Sequence, residues 1–112
     1  MAVSKAVSKK AASVRGSRSG RPIMVLLDLL GRRWTLRILW ELRAGPLTFR
    51  ALQSACERIS PTVMNDRLRE LREAELVELR KTEGYALTKQ AEELGDFLVP
   101  MDDWAKRWRG RG

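Results

Sequence analysis

Thr62, Asn65, Asp66 and Arg69 recur at short steps within ISPTVMNDRLRELREAELV, residues 59–77. If this run is helical, their hydroxyl, amide, carboxylate and guanidinium groups share one side of it, and Glu73 continues the row. Donors and acceptors in mixed order suit hydrogen bonding to base edges, because each base pair presents its own pattern in the major groove. Catalytic chemistry has far less support. The chain has no histidine, no glycine-rich phosphate loop, and no carboxylates spaced for paired acid and base work.

A rigid element must carry that row, and the run has the marks of a helix over residues 61–74. Ser60 can accept from an orphan amide of the first turn, and Pro61 sits where a missing donor costs nothing. Met64, Leu68 and Leu71 fall on the opposite, apolar face, with Ile59 placed to lock the entry. The apolar face is therefore expected inside and the polar face in solvent.

The flanking segments read in the same way. Residues 76–80 are short and partly branched, a turn follows through Lys81, Thr82, Glu83 and Gly84, and Tyr85, Ala86 and Leu87 resume an extended pattern. Upstream, Leu47 to Phe49 make a brief extended link. Thr48 can cap a helix beginning at Arg50 that ends near Glu57 and Arg58, a few residues before Ser60. Helix, short turn, helix and hairpin make a winged helix-turn-helix. The fold expected is mainly α with a small two- or three-stranded antiparallel β wing.

Two more helices lie at the front and two basic segments at the ends. Pro22 opens a helix that Gly31 stops, and its Ile23, Leu26, Leu27, Leu29 and Leu30 exceed what one small core needs. RRWTLRILWELRAGP reads as the next helix, with Trp34, Ile38 and Leu42 on one face and Trp40 packed beneath a neighbour. After the hairpin Thr88 caps a final helix, in which Leu94, Leu98, Met101, Trp104 and Trp108 recur at helical steps with Phe97 beside them. Pro100 is expected to kink or break it by removing a donor and crowding the Asp96 carbonyl. The apolar excess of the first and last helices points to a two-fold dimer formed by Ile23, Leu26, Leu27, Leu30, Leu94, Phe97, Leu98, Met101, Trp104 and Trp108.

At 112 residues the chain makes one domain with a modest core, and its net charge of +8 points toward a polyanion. The charge is unevenly placed. Residues 1–21 hold six basic residues and no acid, and residues 106–112 hold four more. The 84 residues between them carry 12 basic and 14 acidic side chains. Residues 1–21 read as a solvated, disordered basic tail, with a nucleic-acid arm or an organelle transit peptide as alternatives. The domain then covers 22–108, and 109–112 form a basic C-terminal tail. The lone Cys56 cannot form an internal disulfide, fits a reducing compartment, and reads as a small buried hydrophobe. No cofactor or metal site is expected. IMVLLDLL is interrupted by Asp28, so a soluble protein without membrane contact is expected.

Taken together, LLGRRWTLRILWEL, GPLTFRAL, ISPTVMNDRLREL, the pair Leu76 and Val77, and YALT resemble the HxlR family of winged helix-turn-helix regulators, related in fold to the MarR group. The resemblance runs from Leu27 to Trp108. It implies a cytoplasmic bacterial or archaeal homodimer on operator DNA, with the first and last helices forming the dimer. Two recognition helices would then lie about 34 Å apart in successive major grooves. Thr62, Asn65, Asp66 and Arg69 are expected to face bases, and Thr48, Arg50, Ser60, Arg67, Arg80 and Lys81 to meet phosphates. A small-molecule effector, in a pocket lined by Trp34, Trp40 or Trp104, is a further expectation. The chain departs from the family's pattern at four places, one of them Ala91 where a glycine is usual after YALT, a change harmless in a helix. Arg21, not cysteine, precedes Pro22, the wing is short, and Asp66 replaces a common glutamine.

Two other readings use the same residues. One is a protein-interaction module whose outer face, Asp66, Glu70 and Glu73, meets a basic partner. The other is a non-specific DNA-coating protein that relies on its basic tails.

Overall fold

Pro22 occupies the first turn of a helix, where its missing N–H leaves no bond unmade, and from there the chain forms α1, Pro22–Leu30. The computed structural model describes residues 20–110, so the expectation of a disordered tail falls almost wholly outside the described residues. Gly31 ends α1, as its position predicts. Val25 and Leu29 are the α1 side chains that turn to the core.

Helix α2, Thr35–Leu42, follows a tight turn and buries Ile38, Leu39 and Leu42. Its first turn is preceded by Trp34 with φ 80°, a left-handed conformation costly for a bulky side chain. Trp34 and Trp40 are half-buried against the core, and the Arg43 guanidinium lies 3.6 Å above the Trp40 ring. Helix α3, Phe49–Ala55, begins at Thr48, whose Oγ1 accepts from the Ala51 amide at 3.1 Å. Glu57 and Arg58, both at positive φ, then turn the chain into α4, Pro61–Glu73.

Strands β1, Val77–Arg80, and β2, Gly84–Leu87, pair antiparallel with Val77 opposite Leu87 and Arg80 opposite Gly84. Leu47 adds a third, one-residue rung by exchanging backbone hydrogen bonds of 2.9 and 2.8 Å with Tyr85. A Cβ on Gly84 would lie 2.5 Å from the Leu47 carbonyl oxygen, so the wing and the α2–α3 link meet only because that side chain is absent. The architecture is the one expected: mainly helical with a small antiparallel wing.

Helix α5, Lys89–Gly110, starts at Thr88, whose hydroxyl accepts from Ala91 and donates to the Glu75 carbonyl. The helix runs through Pro100 without the break that was one of the two expected outcomes, because one bond is lost among many and the freed carbonyl belongs to solvent-exposed Asp96. It also takes in Arg109 and Gly110, so the basic C-terminal segment expected at 109–112 begins within the helix. Met64, Leu68 and Leu71 of α4, Ile38, Leu39 and Leu42 of α2, Leu52, Val77, Leu87 and Ala91 form one core. Leu98 belongs to it as well, at 9% exposed, and so offers less surface to a partner than the rest of the set expected to meet one. Among the described residues no helix is long and apolar enough to cross a membrane.

Candidate nucleic-acid interface

The start of α4 is fixed by its sequence. Ser60 Oγ accepts from the Val63 amide at 3.2 Å, Pro61 fills the first helical position, and Ile59 is buried just before the cap. Gln53 of α3 donates from Nε2 to the Ile59 carbonyl at 2.9 Å, which ties the two helices across their turn. With Met64, Leu68 and Leu71 against the core, the opposite side must face solvent.

Thr62, Asn65, Arg69 and Glu73 are exposed there, and Asp66 is partly so. Arg69 Nη1 donates to Asp66 Oδ1 at 3.0 Å, so the acid in this row is met by the next cation along it. Between α4 and the wing lies an open cleft of about 540 Å³, lined by Asn65, Leu68, Arg69, Arg72, Glu73 and Tyr85. The cleft therefore gathers Asn65 and Arg69 from the base-facing set, while Thr62 stands a turn away. It adds Arg72 and Tyr85, which the sequence reading did not single out. Arg72 lies three residues beyond Arg69, a spacing that continues the same face. Tyr85 is brought in only by the pairing of β2.

The candidate phosphate contacts divide. Thr48, Arg50, Ser60 and Lys81 are exposed, although the two hydroxyls already serve as caps. Arg80 is held by Glu78 at 2.9 Å and Glu83 at 3.3 Å. Arg67 is already engaged within the protein, which leaves it less available to a phosphate than the others. Its Nε donates to the Arg33 carbonyl at 3.0 Å and its Nη1 to Glu70 Oε1 at 2.7 Å, leaving the side chain about one-fifth exposed.

Glu70 completes this inner network. Its second oxygen, Oε2, takes Arg32 Nη1 at 2.6 Å, with only 7% of the Arg32 side chain exposed. Burial pushes the Glu70 carboxyl up, but the hydrogen bonds and charges of Arg32 and Arg67 outweigh it and hold the group below its ordinary value. The acidic face expected for a protein-docking module thus loses Glu70 to the interior and has Asp66 already paired. Sequence spacing could suggest the Arg67–Glu70 pair, three residues apart, but not Arg32, which lies in the α1–α2 turn.

Cys56 is buried at the end of α3. Burial pushes its thiol up, and the nearby Arg37 guanidinium offsets part of that. The thiol is packing, as expected for a lone cysteine. Among the described residues no cluster of acids, histidine or cysteine could hold a metal ion. Of the tryptophans named as alternatives for an effector pocket, Trp40 lines a groove of about 300 Å³ walled by Leu36, Leu98, Met101 and Ala105, with Arg37 and Asp102 beside them. Trp104 stacks on Trp108 with centroids 5.6 Å apart, out in solvent.

Outside α4 and the wing, most of the large exposed apolar residues lie on α1 and α5, with Leu36 of α2 besides. Ile23, Leu27, Phe97, Met101, Trp104 and Trp108 are each more than half exposed, while Leu26, Leu30 and Leu94 are partly covered.

Comparison with known proteins gives concordant results. The sequence model described as HxlR-like helix-turn-helix matches residues 29–112. The HTH-type transcriptional regulator YodB of Bacillus subtilis is 33% identical over 87 residues, covering 72% of this chain and 78% of the relative. The crystal structure of quinone-bound YodB superposes with a TM-score of 0.67 at 32% identity, covering 76% of this chain and 96% of that one. A possible HxlR family transcriptional factor from Thermoplasma volcanium superposes with a TM-score of 0.68 at 28% identity, over 75% of this chain and 81% of that one.

Proposed function

Since the chain belongs to the HxlR-like helix-turn-helix family of transcriptional regulators, we propose that it binds operator DNA as a homodimer, with α4 in the major groove. The observation that carries this reading is the solvent-facing row on α4, Thr62, Asn65, Asp66 and Arg69, open beside the cleft that the wing completes. Base edges are addressed by that row and by Arg72; phosphates by Thr48, Arg50, Ser60 and Lys81. Arg80 adds little while Glu78 and Glu83 hold it. Exposed Ile23 and Leu27 on α1, with Phe97, Met101, Trp104 and Trp108 on α5, supply an apolar surface of the kind that a two-fold contact buries. An aromatic effector would occupy the Trp40 groove, by analogy with the quinone bound to YodB.

The test is binding to genomic fragments over a salt series, with the full chain and with a variant lacking residues 1–21. Preference for a subset of fragments, kept after the deletion, is expected. Equal binding to every fragment, abolished by the deletion, would favour non-specific coating and overturn the proposal.

A further inference from the structure

We propose that Glu70 is the positioning residue of the reading helix, fixing the rotation of α4 by pairing with Arg32 of the α1–α2 turn and by holding Arg67, its neighbour on α4, against the Arg33 carbonyl. The inference rests on the DNA-binding reading above and deepens it. Glu70 uses both oxygens, Oε2 toward Arg32 Nη1 at 2.6 Å and Oε1 toward Arg67 Nη1 at 2.7 Å. Arg67 then returns through Nε to the Arg33 carbonyl at 3.0 Å. Helix α4 is thus tied to the α1–α2 turn at two adjacent residues, once through a side chain and once through the main chain.

The apolar contacts beneath α4 cannot do this alone. Met64, Leu68 and Leu71 hold the helix down, but hydrophobic contact is non-directional and tolerates a small roll. Guanidinium–carboxylate pairs have a preferred geometry and resist it. Glu70 follows Arg69 by one residue, about 100° around the helix, so any roll at the clamp swings the base-facing row by the same angle. Rolls of about 10–20° are enough to spoil hydrogen bonding at a site.

The turn that holds the clamp carries local costs. Trp34 sits at φ 80°, and Arg32 Nε and Thr35 Oγ1 are buried without a hydrogen-bond partner. Departures of this kind persist where surrounding contacts over-determine the conformation, and they concentrate at working sites. The same turn directly follows α1, whose exposed Ile23 and Leu27 belong to the proposed two-fold contact. The clamp therefore links the placement of the reading helix to the dimer helix.

The experiment uses the full chain, a duplex selected by it from a random pool, and a scrambled duplex of equal composition. Glu70→Gln should lower affinity for the selected duplex about tenfold while leaving the scrambled duplex and the salt slope unchanged, because no phosphate contact is lost. Arg32→Lys, which keeps the charge but not the fork, should lower the same ratio by less, and it carries the test if Glu70→Gln does not fold. An unchanged ratio, or parallel weakening on both duplexes, would overturn the role of Glu70. A wild-type chain without preference between the duplexes would instead overturn the proposed function itself.

Discussion

Arg69 and Asp66 are joined across one turn of α4 by a 3.0 Å hydrogen bond on the face that carries the candidate base contacts. The acid restrains the cation and cancels its charge where a phosphate backbone would approach. Asp66→Ala should therefore raise affinity for random duplex DNA, steepen its salt dependence by about one counterion, and blunt sequence preference. Fluorescence anisotropy over a salt series measures all three. Weaker binding to random DNA would place Asp66 away from the duplex.

Glu70 makes stability depend on pH. Its carboxyl lies below the ordinary value of 4.5 in the folded chain, so the unfolded chain binds the proton more readily. The clamp's contribution is complete above that ordinary value and disappears as the pH falls through the lowered, folded-state value. Urea unfolding at a series of acid pH values should show wild type losing more stability than Glu70→Gln. Parallel curves would remove Glu70 from the linkage.

Gly84 has φ 98°, and any Cβ there would meet the Leu47 carbonyl oxygen. Gly84→Ala should cost about 1–3 kcal/mol in chemical unfolding, from strain and loss of the Leu47–Tyr85 rung. Protection of the Tyr85 amide against hydrogen exchange should fall with it. A neutral substitution would mean that the rung contributes nothing.

Cys56 is buried and its thiol is pushed up, so little thiolate exists at neutral pH. The native chain should resist iodoacetamide and label only on unfolding, as mass spectrometry would show. Fast labelling of native protein would reopen a redox role for this residue.

Trp104 projects from α5 without being part of the core. Trp104→Glu should leave the circular dichroism spectrum unchanged and shift the sedimenting species from dimer to monomer. A wild-type chain that already sediments as a monomer would remove the proposed two-fold contact.

Much of this arrangement could be read from local spacing. Ser60 with Pro61, Thr48 and Thr88 marked three helix starts, and Met64, Leu68 and Leu71 marked the buried face of α4. The turn at residues 81–84 set the wing. Long-range choices were not legible. Arg67 could have pointed to solvent or inward, and only the fold brings the Arg33 carbonyl, 34 residues away, within its reach. Leu98 fits an exposed seam by spacing, yet the approach of α5 to the core buries it. Pro100 carries a strong local signal for a break, which the rest of a 22-residue helix overrides.

The pairing of Arg80 with Glu78 and Glu83, like that of Arg69 with Asp66, leaves the proposed contact surface close to electrically self-neutralised. Under the proposed function such a surface dwells only briefly on random sequence, because little of its charge is available to displace counterions. Scanning would then be quick, and long residence would be reserved for sites where the exchange of partners, internal acid for base edge, is favourable.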